Sequence, residues 1–287
     1  MKIDILATGL EFPEGPTITA AGELLVTEIQ GGRLTRIAPD GTKSTFAETG
    51  GGPNGAALAP DGSIFVCNNG GQVANTGDKP TEPGRIQRVT PDGAVTTLLT
   101  EVEGVALDAP NDGVFDADGG FWFTNPNANR EPGTVCYLPP GGGPPVRVTG
   151  GIRFPNGIGI TPDGKVLVVC ESMTGSLHAF EIEGPGKVAA GRVHAHIGRR
   201  SIPDGFCIDS LGRMIVAGFR TNNLFVFDMA EGRPVQVVEL PDQGPTNCCF
   251  GGPDLRTLYV TSSQAGQVLV MEWPVPGMAL PSPAFRP

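Results

Sequence analysis

A chain of 287 residues with 43 Gly, 28 Pro, 6% aromatic residues and no sustained helical periodicity has the make-up of many short strands joined by tight turns. Twenty basic against thirty acidic residues give a net charge of −10 with no block of Lys or Arg, which argues against nucleic-acid and membrane partners. No apolar run reaches the roughly 18 residues of a membrane span, and residues 1–10 lack the apolar stretch of an export signal, so a cytoplasmic protein is expected.

The first element, Ile3 to Leu10, alternates polar and apolar residues as a strand does. A repeating unit then begins. Pro13-Glu14-Gly15 opens it, and the pattern returns at Pro53-Asn54-Gly55, Pro110-Asn111-Asp112-Gly113, Pro155-Asn156-Gly157 and Pro203-Asp204-Gly205, with a looser copy at Pro245-Thr246-Asn247. In the first five copies a turn Gly stands nine residues after the Pro: 13 to 22, 53 to 62, 110 to 119, 155 to 164 and 203 to 212. A second strand follows each turn, over Glu23 to Glu28, Ser63 to Asn68, Gly120 to Asn125, Lys165 to Cys170, Arg213 to Gly218 and Thr257 to Ser262. Third strands open at Gly32, Gly84, Gly133, Gly175, Asn223 and Gly266, and a weaker fourth precedes the next Pro.

Units of 40 to 57 residues, each of four antiparallel strands and repeated six times, predict an all-β, six-bladed β-propeller formed as one domain over residues 1–287. The sixth unit runs out of strands before the Pro-rich tail from Trp273 to Pro287. Ile3 to Leu10 is therefore expected to complete it, pairing the two ends of the chain and removing an exposed edge.

In a propeller the innermost strands line the central channel, so their starting residues face one another. The resulting ring is Glu14, Asn54, Asn111, Asn156, Asp204 and Asn247, all bearing oxygen and none bearing sulfur or imidazole. Such donors suit one hard divalent cation, with calcium first and magnesium, manganese or zinc as further candidates. Ordinary Asn-Gly and Asp-Gly turns would account for any one of these positions, but less well for the five register-matched ones together. The expected ligands are Glu14, Asn111, Asn156 and Asp204. Asn54 and Asn247 are expected to reach the ion through water or to touch substrate, and Asp112 to orient a neighbouring group.

Loops between second and third strands return to the ring's face and should wall a pocket. Asn125, Arg130 and Arg220 are candidate substrate contacts, the two arginines for an anionic substrate. The longest loop, Asn68 to Gly84, has the composition of a rim or lid. His178, His194 and His196 fall on outer strands and are read as structural. Cys67, Cys136, Cys170, Cys207, Cys248 and Cys249 are expected to be reduced thiols.

Phe12-Pro13-Glu14-Gly15-Pro16, Pro110-Asn111-Asp112-Gly113, Phe154-Pro155-Asn156-Gly157 and Pro203-Asp204-Gly205 together make the chain similar, over its whole length, to the regucalcin and gluconolactonase family. The resemblance implies a six-bladed propeller that opens lactones with a channel-bound divalent metal held by Glu14, Asn156 and Asp204. It also implies that Asn111 touches metal or substrate and that Asp204 doubles as general base. Sugar-lactone members place an arginine two residues before the Asn111 position, where this chain has Ala109. Two alternatives stay open: a metal-dependent phosphotriesterase or esterase of the same architecture, and a non-catalytic, metal-bound ligand-binding propeller.

Overall fold

Fixed spacing between Pro and Gly in the sequence corresponds to one repeated hairpin. At its tip the glycine takes the left-handed backbone open to residues without a Cβ, with φ of 81° at Gly22 and 87° at Gly119. The Gly22 N–H donates to the Thr19 carbonyl at 2.9 Å, and Gly62 and Gly164 close their turns in the same way on Ala59 and Thr161. The computed structural model, which describes residues 1–72, 81–198 and 200–279, contains 27 strands and no helix among the described residues.

Six antiparallel sheets stand around one axis. Blade 1 comprises Pro13–Ile18, Leu24–Glu28, Arg33–Ile37 and Lys43–Glu48, and blade 2 Pro53–Leu58, Ile64–Asn68, Arg85–Val89 and Val95–Leu99. Blade 3 comprises Gly113–Phe115, Phe121–Asn125, Pro132–Leu138 and Val146–Arg153. In blade 4, Pro155–Ile160, Val166–Glu171 and Ser176–Gly184 are followed by Arg192–His196, and the short strand Lys187–Val188 makes its sheet five-stranded. Blade 5 is Ile202–Ile208, Met214–Phe219, Asn223–Phe227 and Pro234–Glu239. A small hairpin that the repeat did not foretell, Glu101–Val102 with Val105–Ala106, links blades 2 and 3.

Blade 6 is closed from the far end of the chain. Pro245–Gly251, Thr257–Ser262 and Gln267–Glu272 take Ile3–Ala7 as their outermost strand, with Ile3 opposite Met271 and Ile5 opposite Leu269. Deleting residues 1–8 strips this edge and is expected to lower Tm by roughly 10 °C or more in a thermal melt, since it removes a whole ladder. A truncated protein that melts with the full chain would show that the pairing contributes nothing. The expected rim or lid over Asn68 to Gly84 falls in part on residues 73–80, and part of the Pro-rich tail on 280–287, both outside the described residues.

Apolar side chains pack between neighbouring blades rather than within them. Ile215, Leu224 and Val226 of blade 5 meet Leu258, Val260 and Leu269 of blade 6, with buried Trp273 closing the cluster. Nearer the axis, hydroxyls stitch one blade to the next. Thr27 donates to the Asn54 carbonyl at 2.5 Å, Thr124 to that of Asn156 at 2.9 Å, Ser172 to that of Pro203 at 2.8 Å, and Thr246 to that of Pro13 at 2.9 Å. These bonds anchor the starts of four inner strands, at or next to Glu14, Asn54, Asn156 and Asp204. All six cysteines are free thiols, four of them buried.

Candidate active site

Most inner strands are irregular where they begin. Register slips between Glu14 and Thr17, Pro53 and Ala56, Pro155 and Ile158, and Pro203 and Phe206. Such bulges re-aim side chains at strand ends. Four ring residues, Glu14, Asn54, Asn156 and Asp204, are each followed by a Gly that lets adjoining strands meet tightly at that point. A Cβ on Gly157 would lie 2.4 Å from the Asp204 carbonyl oxygen, and one on Gly205 would lie 2.0 Å from Asn247 Cγ. Gly205→Ala is therefore expected to cost about 3 kcal/mol in denaturant unfolding. Gly184→Ala, where nothing lies within 4 Å, should change stability by less than about 0.5 kcal/mol. Equal effects at the two positions would remove the close-packing explanation.

The ring opens into a cavity of about 370 Å³ lined by Glu14, Asn54, Asn111, Asn156 and Asp204, with Arg130 and Arg220 also on its wall. Most of the sequence-derived candidates thus come together, from five blades. Asn125 and Asn247 do not line this cavity. The Asn125 carboxamide oxygen instead accepts the Asp108 and Ala109 N–H groups at 3.1 and 3.2 Å, pinning the segment that leads to Asn111.

Asn247 sits behind the ring. Its Nδ2 donates to both oxygens of Asp112, at 3.1 and 3.0 Å, and to Glu14 Oε2 at 3.3 Å, while its Oδ1 accepts the Cys248 N–H at 2.8 Å. One amide therefore ties two carboxyls together beneath the cavity floor, and the group that Asp112 orients is this one.

Three of the ring amides present a buried oxygen with no hydrogen-bond partner: Asn54 Oδ1, Asn111 Oδ1 and Asn156 Oδ1. Unsatisfied buried acceptors are costly and rare, and three around one cavity are an arrangement awaiting a positive centre or donors. The carboxyls carry the same signature. Burial raises the Glu14 pKa well above the ordinary carboxylate range, and the charges of Asp204 and Asp112 raise it further. Burial and then Asp112 do likewise to Asp204, opposed by hydrogen bonds from Asn156 and Gly205. Burial pushes Asp112 up to about 7 despite the Asn247 amide.

Carboxylates and orphaned amide oxygens with no sulfur or imidazole fit a hard divalent cation. Among the described residues no three His, Cys, Asp or Glu side chains gather as a metal cluster. The expected set does not require one, because two of its four members are amides. His178 is engaged elsewhere, hydrogen-bonded to Glu171 at 2.9 Å on the third strand of blade 4.

Sequence reasoning missed the apolar wall: Phe12, Ile29, Phe154, Met173, Ile202 and Phe219 face the same cavity. A trace was present in the Phe that precedes Pro13 and Pro155. Both adopt the left-handed region, φ 59° at Phe12 and 61° at Phe154, which a residue before proline normally avoids. Arg130 and Arg220 are left-handed as well, φ 65° and 70°. Backbone strain held at four residues around one cavity is a mark of a functional site.

Regucalcin of Xenopus laevis is 28% identical over 254 residues, covering 85% of this chain and 80% of its own. The diisopropyl-fluorophosphatase of Loligo vulgaris is 29% identical over 189 residues, covering 60% of this chain and 59% of its own. Among solved structures, a gluconolactonase of Xanthomonas campestris superposes with a TM-score of 0.80 at 24% identity, covering 96% of this chain and 89% of that one. Residues 12–264 match the family described as the SMP-30/gluconolactonase/LRE-like region, and with the propeller and its oxygen-lined channel in place, the chain belongs to that family.

Proposed function

We propose that the protein is a metal-dependent hydrolase that opens a lactone or related cyclic ester in the axial cavity. The observation that carries this reading is the convergence of three unpartnered amide oxygens, from Asn54, Asn111 and Asn156, with the buried carboxyls of Glu14 and Asp204. Glu14, Asn111, Asn156 and Asp204 would hold the cation, calcium being our first choice. When bound, a dication there supplies the charge that keeps both carboxylates ionised and polarises a carbonyl for attack.

The chain's own residues do the rest. Ionised Asp204 accepts a proton from the attacking water at its free carboxylate oxygen. Asn54 Oδ1 accepts a hydrogen bond from that water or from a substrate hydroxyl. Asn247 holds Glu14 and Asp112 in place, and Phe12, Ile29, Phe154 and Phe219 pack the ring and keep bulk water away. A phosphotriesterase is the second reading, favoured by the fluorophosphatase relative and by Ala109, which is buried off the cavity wall and gives no sugar-binding cation there.

Elemental analysis of purified protein, then lactone and phosphotriester panels on chelated and reconstituted samples, tests both. One equivalent of metal and chelator-reversible lactone opening are expected. Folded protein with no affinity for any divalent cation overturns the proposal, and turnover confined to phosphotriesters selects the second reading.

A further inference from the structure

On the lactonase reading above, we infer that the substrate carries a formal negative charge outside its lactone ring, recognised by Arg130 and Arg220 at the cavity mouth. Among the described residues, most arginines are held by a carboxylate. Arg33 pairs with Glu11 and Glu28, Arg36 with Glu23, Arg85 with Glu82, Arg88 with Asp61, and Arg213 with Asp209. Further pairs form at Arg147, Arg233 and Arg256. In a protein of net charge −10, a carboxylate partner is available almost everywhere.

Among the described residues, Arg130, Arg153, Arg200 and Arg220 have guanidinium groups with neither an ion pair nor a hydrogen bond. These four share one end of the molecule. Arg153 ends the outer strand of blade 3 opposite Pro132, Arg200 lies just before the inner strand of blade 5, and Arg130 and Arg220 sit on the loops of the same two blades. This is the end at which the ring opens. Even Glu131, next to Arg130 in the chain, forms no ion pair with it.

Solvated surface arginines are common, but two features set Arg130 and Arg220 apart. Both line the cavity, and both hold left-handed backbone, where Gly or Asn would fit at less cost. Guanidinium groups present paired donors that match a carboxylate or a phosphate, and cations around a cleft raise the local concentration of anions. Arg153 and Arg200 add to that field without lining the cavity. The recognised group is thus an oxyanion, carboxylate or phosphate, on a ring whose carbonyl lies toward Asp204.

The test uses the full chain loaded with its cation. Matched pairs differing only in charge are compared: a γ-butyrolactone bearing a ring carboxylate against its neutral carboxamide, and a sugar lactone bearing a phosphate against the unphosphorylated lactone. The two pairs distinguish a carboxylate from a phosphate as the recognised group. We expect wild-type kcat/KM to favour a charged member by about tenfold or more. Arg130→Gln with Arg220→Gln should erase that preference through KM with kcat held, leave the neutral member within about twofold, and recover in part as the Lys variants. Added salt should shrink the preference in wild type alone.

Equilibrium binding of non-reacting dicarboxylates and phosphates against neutral amides and alcohols, by calorimetry on the same proteins, reads recognition without turnover. Wild-type protein that binds charged and neutral analogues equally, or arginine variants that lose both equally, overturns the inference. Charge-selective binding with no lactone opened would sink the lactonase reading and leave charge recognition standing.

Discussion

Asp204→Ala should lose at least about 10³-fold in kcat/KM for whichever ester the protein opens, because one carboxylate is asked both to help hold the cation and to accept a proton. The same variant should bind divalent cations far more weakly by calorimetry. Its fold should survive: Asp204 is buried beside Asp112 and near Glu14, so its removal relieves repulsion in the metal-free protein rather than breaking an ion pair. Asp204→Asn separates the two duties, since an amide oxygen still offers a ligand but takes no proton. Asn is thus expected to keep more cation affinity than Ala while remaining inactive. Unchanged turnover in either variant removes Asp204 from the mechanism.

Glu14→Gln is expected to move stability in opposite directions depending on the cation. Without metal, Glu14 is a buried acid whose ionised form is penalised by burial and by the Asp204 and Asp112 charges, so the neutral amide should melt no lower than wild type and up to a few degrees higher. With calcium at 100 times its Kd, wild type gains about 2.7 kcal/mol, or roughly 5 °C in Tm. Glu14→Gln should gain little of this. Differential scanning calorimetry with and without chelator measures all four states, and an equal calcium shift in both proteins would remove Glu14 from the ligand set.

The blades were legible because one physical constraint wrote the same letters in most of them. In the first five, a left-handed residue at the inner hairpin demands Gly at a fixed distance from the Pro that starts the strand, and in four of these the tight approach of neighbouring inner strands demands another Gly directly after the ring residue. Second strands expected at Ser63 to Asn68 and Arg213 to Gly218 are observed at Ile64–Asn68 and Met214–Phe219, within a residue at each end. The small hairpin Glu101–Val102 with Val105–Ala106 left no such trace, because nothing repeats it.

Site residues were less evenly readable. Position near the Pro tells that a side chain enters the channel but not whether it meets the cavity or the groups beneath it, and the one looser copy, with Asn247 two residues after Pro245, is the one whose ring residue lies off the cavity. Asn125 belongs to a second strand whose last side chain turns toward the Asp108 and Ala109 amides, a choice made by the neighbouring segment rather than by its own residues. The aromatic wall was harder still, since Phe12 and Phe154 point into the cavity through a backbone conformation that local preference argues against.

Ile3–Ala7 has a temporal consequence. It is made before every other strand of the six blades, yet its hydrogen-bonding partner, Gln267–Glu272, follows all of them. In the interval Ile3–Ala7 must wait unpaired, while the blades between are complete in local contacts and able to form in turn. A permutant cut between blades, in which a short linker places Ile3–Ala7 soon after Gln267–Glu272, should be spared this long delay, so it should regain native structure faster after dilution from denaturant even where its final stability is unchanged.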